Sequence, residues 1–175
     1  MSDPMIEVFQ QFAAHEMRDA AARAKINSDG YFFPDTPLTE IIDGLSKLGR
    51  RPVREVLRDF GRFLATSLVL PHAGRQPAWR SLELLAHAGD ILQVTRRGQG
   101  DSRPLLPEQQ PTRTGPDELL LAFPRGRHWC GIARGMAEAI GEHYGEQVTF
   151  SEPACLSRGG AACHLFVRVL PATLD

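Results

Sequence analysis

The fold is decided by residues 123–167, which read FPRGRHWCGIARGMAEAIGEHYGEQVTFSEPACLSRGGAACHLFV. Within this segment, apolar side chains recur at steps of three and four residues, which is the spacing of one face of a helix. The members of this stripe are Trp129, Ile132, Ala133, Met136 and Ile140. The segment is therefore predicted to contain a helix that ends near Tyr144.

Strands are predicted on both sides of this helix. Residues 119–121 form a short apolar run before it, and Val148 and Phe150 alternate with polar residues after it. Gly159 and Gly160 then indicate a tight turn between two strands. The return strand places one set of side chains on a single face, namely Cys163, Leu165, Val167 and Val169.

The chain before this unit is predicted to be helical to about Val94. Four helices are expected: one ending near Ala24, one from Thr36 to Gly49, one opened by Pro52, and one from about Ala78 to Val94. The third has the clearest apolar stripe, formed by Val53, Val56, Leu57, Phe60, Phe63, Leu64 and Leu68. We therefore expect no strand within residues 53–68, and strands only after Pro111.

Length and composition indicate one globular domain. A chain of 175 residues with 42% hydrophobic residues can bury one sizeable core. Its 20 basic and 21 acidic residues nearly balance, so the net charge favours neither nucleic acid nor a membrane surface as a partner. An odd number of cysteines, three, without a signal peptide or a spanning apolar run, predicts a cytoplasmic protein.

We expect a single domain over residues 1–175. It would comprise a helical half (1–97), a long loop rich in Pro and Gly (98–116) and an α/β half (117–175). This is an α+β fold, in which the N-terminal helical half packs on a C-terminal antiparallel sheet with covering helices.

Several motifs, in their order along the chain, resemble the heme-nitric oxide/oxygen-binding (H-NOX) sensor family. They are Phe33-Pro34-Asp35, the segments 41–49 and 56–64, an aromatic-x-x-x-Arg step from Phe123 to Arg127, Cys130 three residues later, and a Cys-x7-Cys hairpin. The likeness covers roughly residues 5–170. It implies a non-catalytic sensor with a ligand cavity between its halves and a signalling partner such as a histidine kinase or a cyclic-nucleotide enzyme.

The resemblance also locates the residues that would bind heme. The family carries an iron-ligating histidine on the helix before the long loop, where this chain has Leu92, and leucine cannot bind iron. His87 lies five residues upstream and points about 140° away on a regular helix. The family's propionate-binding Tyr-x-Ser-x-Arg motif matches Phe123, Arg125 and Arg127, so only the last arginine is kept, and Arg125 is a candidate substitute donor. Heme binding is therefore doubtful, unless His87 ligates iron in a shifted register.

A second metal site is implied by the cysteines. Some bacterial H-NOX members bind structural zinc through three cysteines and a histidine, and Cys130, Cys155 and Cys163 match the cysteine positions. Glu152 stands where that pattern has its histidine, and a carboxylate can complete a tetrahedral zinc site. His164 is the other candidate, but it should point to the opposite face of its strand. The alternative is that the cysteines are buried small hydrophobic side chains.

Three functions remain open. The first is a sensor that passes a ligand or redox signal to a partner, with zinc thiols as a possible oxidant-dependent switch. The second is a module that binds small hydrophobic ligands, related to vinyl-reductase-like domains. A heme-binding gas sensor with a non-standard ligand is a variant of the first. An enzyme is ranked last, because the sequence shows no Ser-His-Asp set, phosphate loop or recognisable carboxylate pair.

Overall fold

The computed structural model describes residues 11–12, 38–97, 111–123 and 129–171. Helix α1 spans Leu38–Gly49, α2 spans Val53–Leu64, α3 spans Ser81–Arg97 and α4 spans Trp129–Tyr144. The strands are β1 (Thr112–Gly115), β2 (Glu118–Phe123), β3 (Val148–Ala154) and β4 (Cys163–Val169). Residues 11–12 are helical, but the rest of the predicted first helix and residues 98–110 of the predicted loop lie outside the described residues.

Helix α2 begins directly after Pro52, as predicted. Of its apolar stripe, Val56, Leu57, Phe60 and Leu64 are buried. Val53 and Phe63 are half-buried, as is Leu68, which lies beyond the end of α2. Beyond Leu64 the chain widens into a π turn over Ala65–Val69 and then tightens into a 3-10 helix over Leu70–Arg75. Pro71 lies at the start of this 3-10 helix. Because proline has no N–H to donate, a regular α-helix cannot continue through that position.

The strands form one antiparallel sheet in the order β1-β2-β4-β3. In the described part of the chain all strands follow Pro111 and none falls within residues 53–68, as predicted. Strand β1 corrects the expected extent of the loop, because Thr112–Gly115 was assigned to it. The residues of β1 are polar and largely exposed, and the strand is held by backbone pairing at the sheet edge. It therefore lacks the apolar alternation by which a strand is recognised in sequence.

Helix α4 covers one face of the sheet and completes the predicted α+β arrangement. Its buried side chains join those of α1, α2, α3 and the inner faces of β2 and β4 in one hydrophobic core. Cys163, Leu165 and Val167 point inward from β4, as their alternation predicts. None of the described helices is both long enough and apolar enough to cross a membrane.

Helices α2 and α4 meet through two glycines. A Cβ atom added at Gly61 would lie 1.9 Å from the carbonyl oxygen of Ile132, and one added at Gly135 would lie 1.8 Å from that of Arg58. Only glycine permits backbones to approach so closely. This contact holds the first turn of α4, which carries Cys130, beside the first half of α2.

Candidate metal centre

The turn between β3 and β4 brings Cys155 and Cys163 together. The backbone N–H groups of Arg158 and Gly160 both donate to the carbonyl oxygen of Cys155, over 3.1 and 2.9 Å. Gly159 adopts φ +84°, a left-handed conformation that favours glycine, and closes a short 3-10 turn. The chain therefore folds back tightly, and the Leu156 N–H donates to the Sγ atom of Cys163 over 3.1 Å.

The third cysteine comes from α4. The Sγ atom of Cys130 lies 4.0 Å from that of Cys155, which in turn lies 3.7 Å from that of Cys163. In a tetrahedral zinc site with Zn–S bonds of about 2.3 Å, neighbouring sulfur atoms are about 3.8 Å apart. A carboxylate oxygen of Glu152 joins the group, and all four ligand atoms lie within 4.8 Å of one another. The four residues that the sequence nominated for zinc are thus brought together at one point.

Glu152 presents an unpaired oxygen to the thiols. Its side chain is only 9% exposed, and its Oε2 atom accepts a hydrogen bond of 2.9 Å from Arg134. The other oxygen, Oε1, is buried and has no hydrogen-bond partner in the described part of the chain. A buried carboxylate oxygen without a partner is costly, so this atom is well suited to bind a cation.

Protonation at the cluster follows from burial and from neighbouring groups. Burial is the main cause that raises the pKa of the Cys130 thiol, and the nearby Glu152 carboxylate adds to it. Burial is also the main cause that raises the pKa of Cys163. Burial alone would raise the pKa of Glu152, but the Cys155 thiol and the Arg134 guanidinium together hold it below its usual range. Without metal, the thiols of Cys130 and Cys163 are therefore held protonated beside an ionised carboxylate.

Two further side chains complete the description of this centre. His164 is exposed and lies on the face of β4 opposite to Cys163, so it is not placed to bind metal with the cysteines. Arg134 was not identified from the sequence, although it lies one helical turn after Cys130 on the same face of α4. Its guanidinium also lies 5.2 Å above the ring of Phe150, which orients it toward Glu152.

The donor set in the described part of the chain does not fit heme. Leu92 is completely buried in the core. His87 is exposed, stacks on Trp79 with ring centroids 4.3 Å apart, and donates from Nδ1 to the Glu83 carbonyl oxygen over 2.8 Å. Phe123 is also completely buried and has no polar atom in its side chain for a propionate.

The remaining residues considered for heme are two arginines and the other histidines. Arg125 and Arg127 lie outside the described residues. Among the histidines of the described ranges, His72 is half-buried and His87, His143 and His164 are exposed, so none of them projects into the core.

Comparison with known proteins identifies the fold. No family model matches the sequence, and no curated protein matches it. Solved structures do match over nearly the whole chain. An H-NOX protein from S. oneidensis in the Fe(II)NO state is 16% identical with a TM-score of 0.73, and the match covers 98% of this chain and 100% of that one.

Two further H-NOX structures agree with this result. An oxygen-binding H-NOX domain related to soluble guanylate cyclases, solved as the oxygen complex, is 16% identical with a TM-score of 0.65, and 100% of this chain and 98% of that one are covered. A mutant of the T. tengcongensis H-NOX protein is 14% identical with a TM-score of 0.68, and the match covers 99% of this chain and 100% of that one. The order of motifs, the α+β architecture and these matches together lead to one conclusion: the chain has an H-NOX-like fold.

Proposed function

We propose that this chain is a sensor domain on the H-NOX fold, in which a zinc ion bound by Cys130, Glu152, Cys155 and Cys163 takes the regulatory role that heme has in gas sensors. The observation that carries the proposal is that two of the three S–S distances match those of a tetrahedral zinc site, beside the buried, unpaired Oε1 atom of Glu152. The solved neighbours in the Fe(II)NO state and as an oxygen complex support a sensing role.

The ligands connect the two parts of the C-terminal half. Cys130 lies in the first turn of α4, whereas the other three residues belong to β3, the following turn and β4. Bound zinc would hold these sulfurs as thiolates and tie the helix to the sheet. Proton competition for the thiolates would release zinc and free the start of α4, whereas oxidation of two thiols to a disulfide would replace the metal link by a covalent one.

A movement of α4 would be transmitted directly to α2 in the helical half. Because Gly61 and Gly135 place the backbones of α2 and α4 in contact, a shift of one helix moves the other. The signal would then pass to a partner protein. The H-NOX resemblance makes a histidine kinase or a cyclic-nucleotide enzyme the expected class.

Metal analysis tests the proposal. Protein purified under reducing, metal-replete conditions should contain one zinc per chain, and Cys155→Ser should lower this sharply, because Cys155 lies between the other two sulfurs. Glu152→Gln should weaken zinc binding about 10-fold or more, since it replaces an anionic ligand. Glu142→Gln is the matched control, because Glu142 is an exposed partner of Arg62. Zinc far below one per chain in the wild type, or equal retention in all variants, would refute the site.

A further inference from the structure

A cleft of about 890 Å³ is lined by two of the three cysteines. Its walls are the first half of α2, the first three turns of α4, and the turn that follows β3. Cys130 and Cys155 line it and are 7% and 6% exposed, whereas Cys163 is completely buried and does not line it. A reagent that enters the cleft therefore comes against Cys130 and Cys155, whose sulfur atoms are 4.0 Å apart.

The charges around the cleft leave a positive excess. Its charged lining residues are Arg54, Glu55, Arg58, Arg134, Glu138, Glu152 and Arg158. Each glutamate is already paired: Glu55 with Arg51 at 3.6 Å, Glu138 with Arg58 at 2.5 Å, and Glu152 with Arg134 at 2.9 Å. Within the described ranges, Arg54 and Arg158 have no carboxylate partner, and the four arginines that line the cleft outnumber the three glutamates by one.

The backbone adds to this positive potential. Arg54 lies in the first turn of α2, a helix of 12 residues whose N-cap, Pro52, makes no side-chain capping hydrogen bond. The first N–H groups of a helix carry partial positive charge and favour an anion. The cleft thus combines a positive rim, room for a small organic molecule and two thiols at its base.

We propose, building on the thiol site of the proposed function, that this cleft binds a small disulfide with carboxylate end groups and that this disulfide is the oxidant of the switch. The thiol of one cleft-facing cysteine first loses its proton to water, and the resulting thiolate attacks one sulfur of the ligand. A mixed disulfide forms, the ligand S–S bond breaks, and the departing thiolate takes a proton from water. The second cleft-facing thiol loses its proton to water and attacks the cysteine sulfur of the mixed disulfide. A Cys130–Cys155 disulfide forms and the second small thiol leaves.

The electrons balance in this sequence. Two protein thiols lose two electrons in total, and one ligand disulfide gains them as two small thiols. The centre thereby loses two of its thiolate ligands, and α4 becomes covalently attached to the turn after β3.

Three small disulfides that differ in end-group charge test the proposal: dithiodipropionate (anionic), hydroxyethyl disulfide (neutral) and cystamine (cationic). Loss of protein thiols is followed for each, and each rate is divided by the rate with the urea-unfolded chain, which removes differences in intrinsic reactivity. In the folded protein the normalised rate should be about 10-fold higher for the anionic than for the cationic reagent. Peptide mapping should find the Cys130–Cys155 pair.

Arg54→Glu should abolish the preference for the anionic over the cationic disulfide, or invert it. The substitution is compatible with folding, because a glutamate is favourable in the first turn of a helix. Arg75→Glu makes the same change of charge at an exposed residue that does not line the cleft, and it should leave the preference intact.

Zinc analysis of the same samples separates this proposal from the proposed function. One zinc per chain with equal normalised rates for the three reagents would overturn the cleft proposal and leave the zinc sensor standing. No zinc, together with a preference for the anionic reagent and a Cys130–Cys155 product, would overturn the zinc sensor and support the cleft. A product that links only Cys155 to Cys163 would count against the cleft proposal.

Discussion

Replacing Gly135 by alanine should destabilise the protein strongly, although alanine is the better helix former. The new Cβ atom would lie 1.8 Å from the carbonyl oxygen of Arg58 and 2.7 Å from its carbonyl carbon. Side-chain carbons essentially never come within 3.0 Å of such atoms, so α2 and α4 must separate by more than about 1 Å. The obstacle is backbone within a helix, and it cannot rotate away as a flexible side chain would.

The magnitude follows from two opposing contributions. Exchanging glycine for alanine inside a helix gains about 1 kcal/mol. Overpacking a close contact typically costs about 1–3 kcal/mol, and the cost here lies at the upper end because many side chains between the two helices lose contact together. We therefore expect a net loss of about 1–2 kcal/mol in the free energy of unfolding.

Urea denaturation of Gly135→Ala, followed by circular dichroism, measures this loss as a lower midpoint at unchanged slope. Gly89→Ala is the matched control, because Gly89 lies within α3 and a Cβ atom there meets nothing within 4 Å. The control should be neutral or more stable by up to about 1 kcal/mol. If Gly135→Ala were as stable as Gly89→Ala, the backbone contact between α2 and α4 would not exist as described.

Three further predictions follow from the site and its surroundings. Glu146 accepts hydrogen bonds from the backbone N–H and hydroxyl of Ser81 and from Arg80, and these outweigh burial and lower the pKa of its carboxyl group. Its contribution to stability is therefore complete above the ordinary pKa of a glutamate and is lost as pH falls through the lowered pKa. Glu146→Gln should lower the free energy of unfolding by about 1 kcal/mol at neutral pH and should weaken its dependence on pH in the acid range. An unchanged dependence on pH would contradict this role of Glu146. Acidification should release zinc from the wild type, because protons compete for the thiolates, and a metal-sensitive dye would measure the released zinc. Retention of zinc at low pH would contradict this prediction. Purified protein should lack a stoichiometric Soret band, and any band present should disappear in His87→Ala; a full band that survives this change would place the iron ligand elsewhere.

The helices and strands that the sequence predicted correctly share one property. The stripe on α4, the buried face of α2 and the alternation of β4 are periodic patterns of neighbouring residues, and such patterns reflect which side must be buried. The glycine pair after Cys155 is equally local, because its turn requires a left-handed residue at Gly159. The cysteines and Glu152 were nominated through resemblance to a family, not through their spacing.

Other features were decided by tertiary structure alone. Strand β1 has no apolar pattern of its own and exists because β2 offers a backbone edge to pair with. Arg134 has a role only because β3 carries Glu152 opposite it, and Gly61 and Gly135 matter only because α2 and α4 cross where they lie. Most of all, the chemistry of the thiols depends on distance: Cys130 and Cys155 are separated by 25 positions in the chain, and only packing of α4 on the sheet brings their sulfur atoms within 4.0 Å. Periodicity is a property of neighbours in sequence, whereas a metal site or a charged cleft requires neighbours in space.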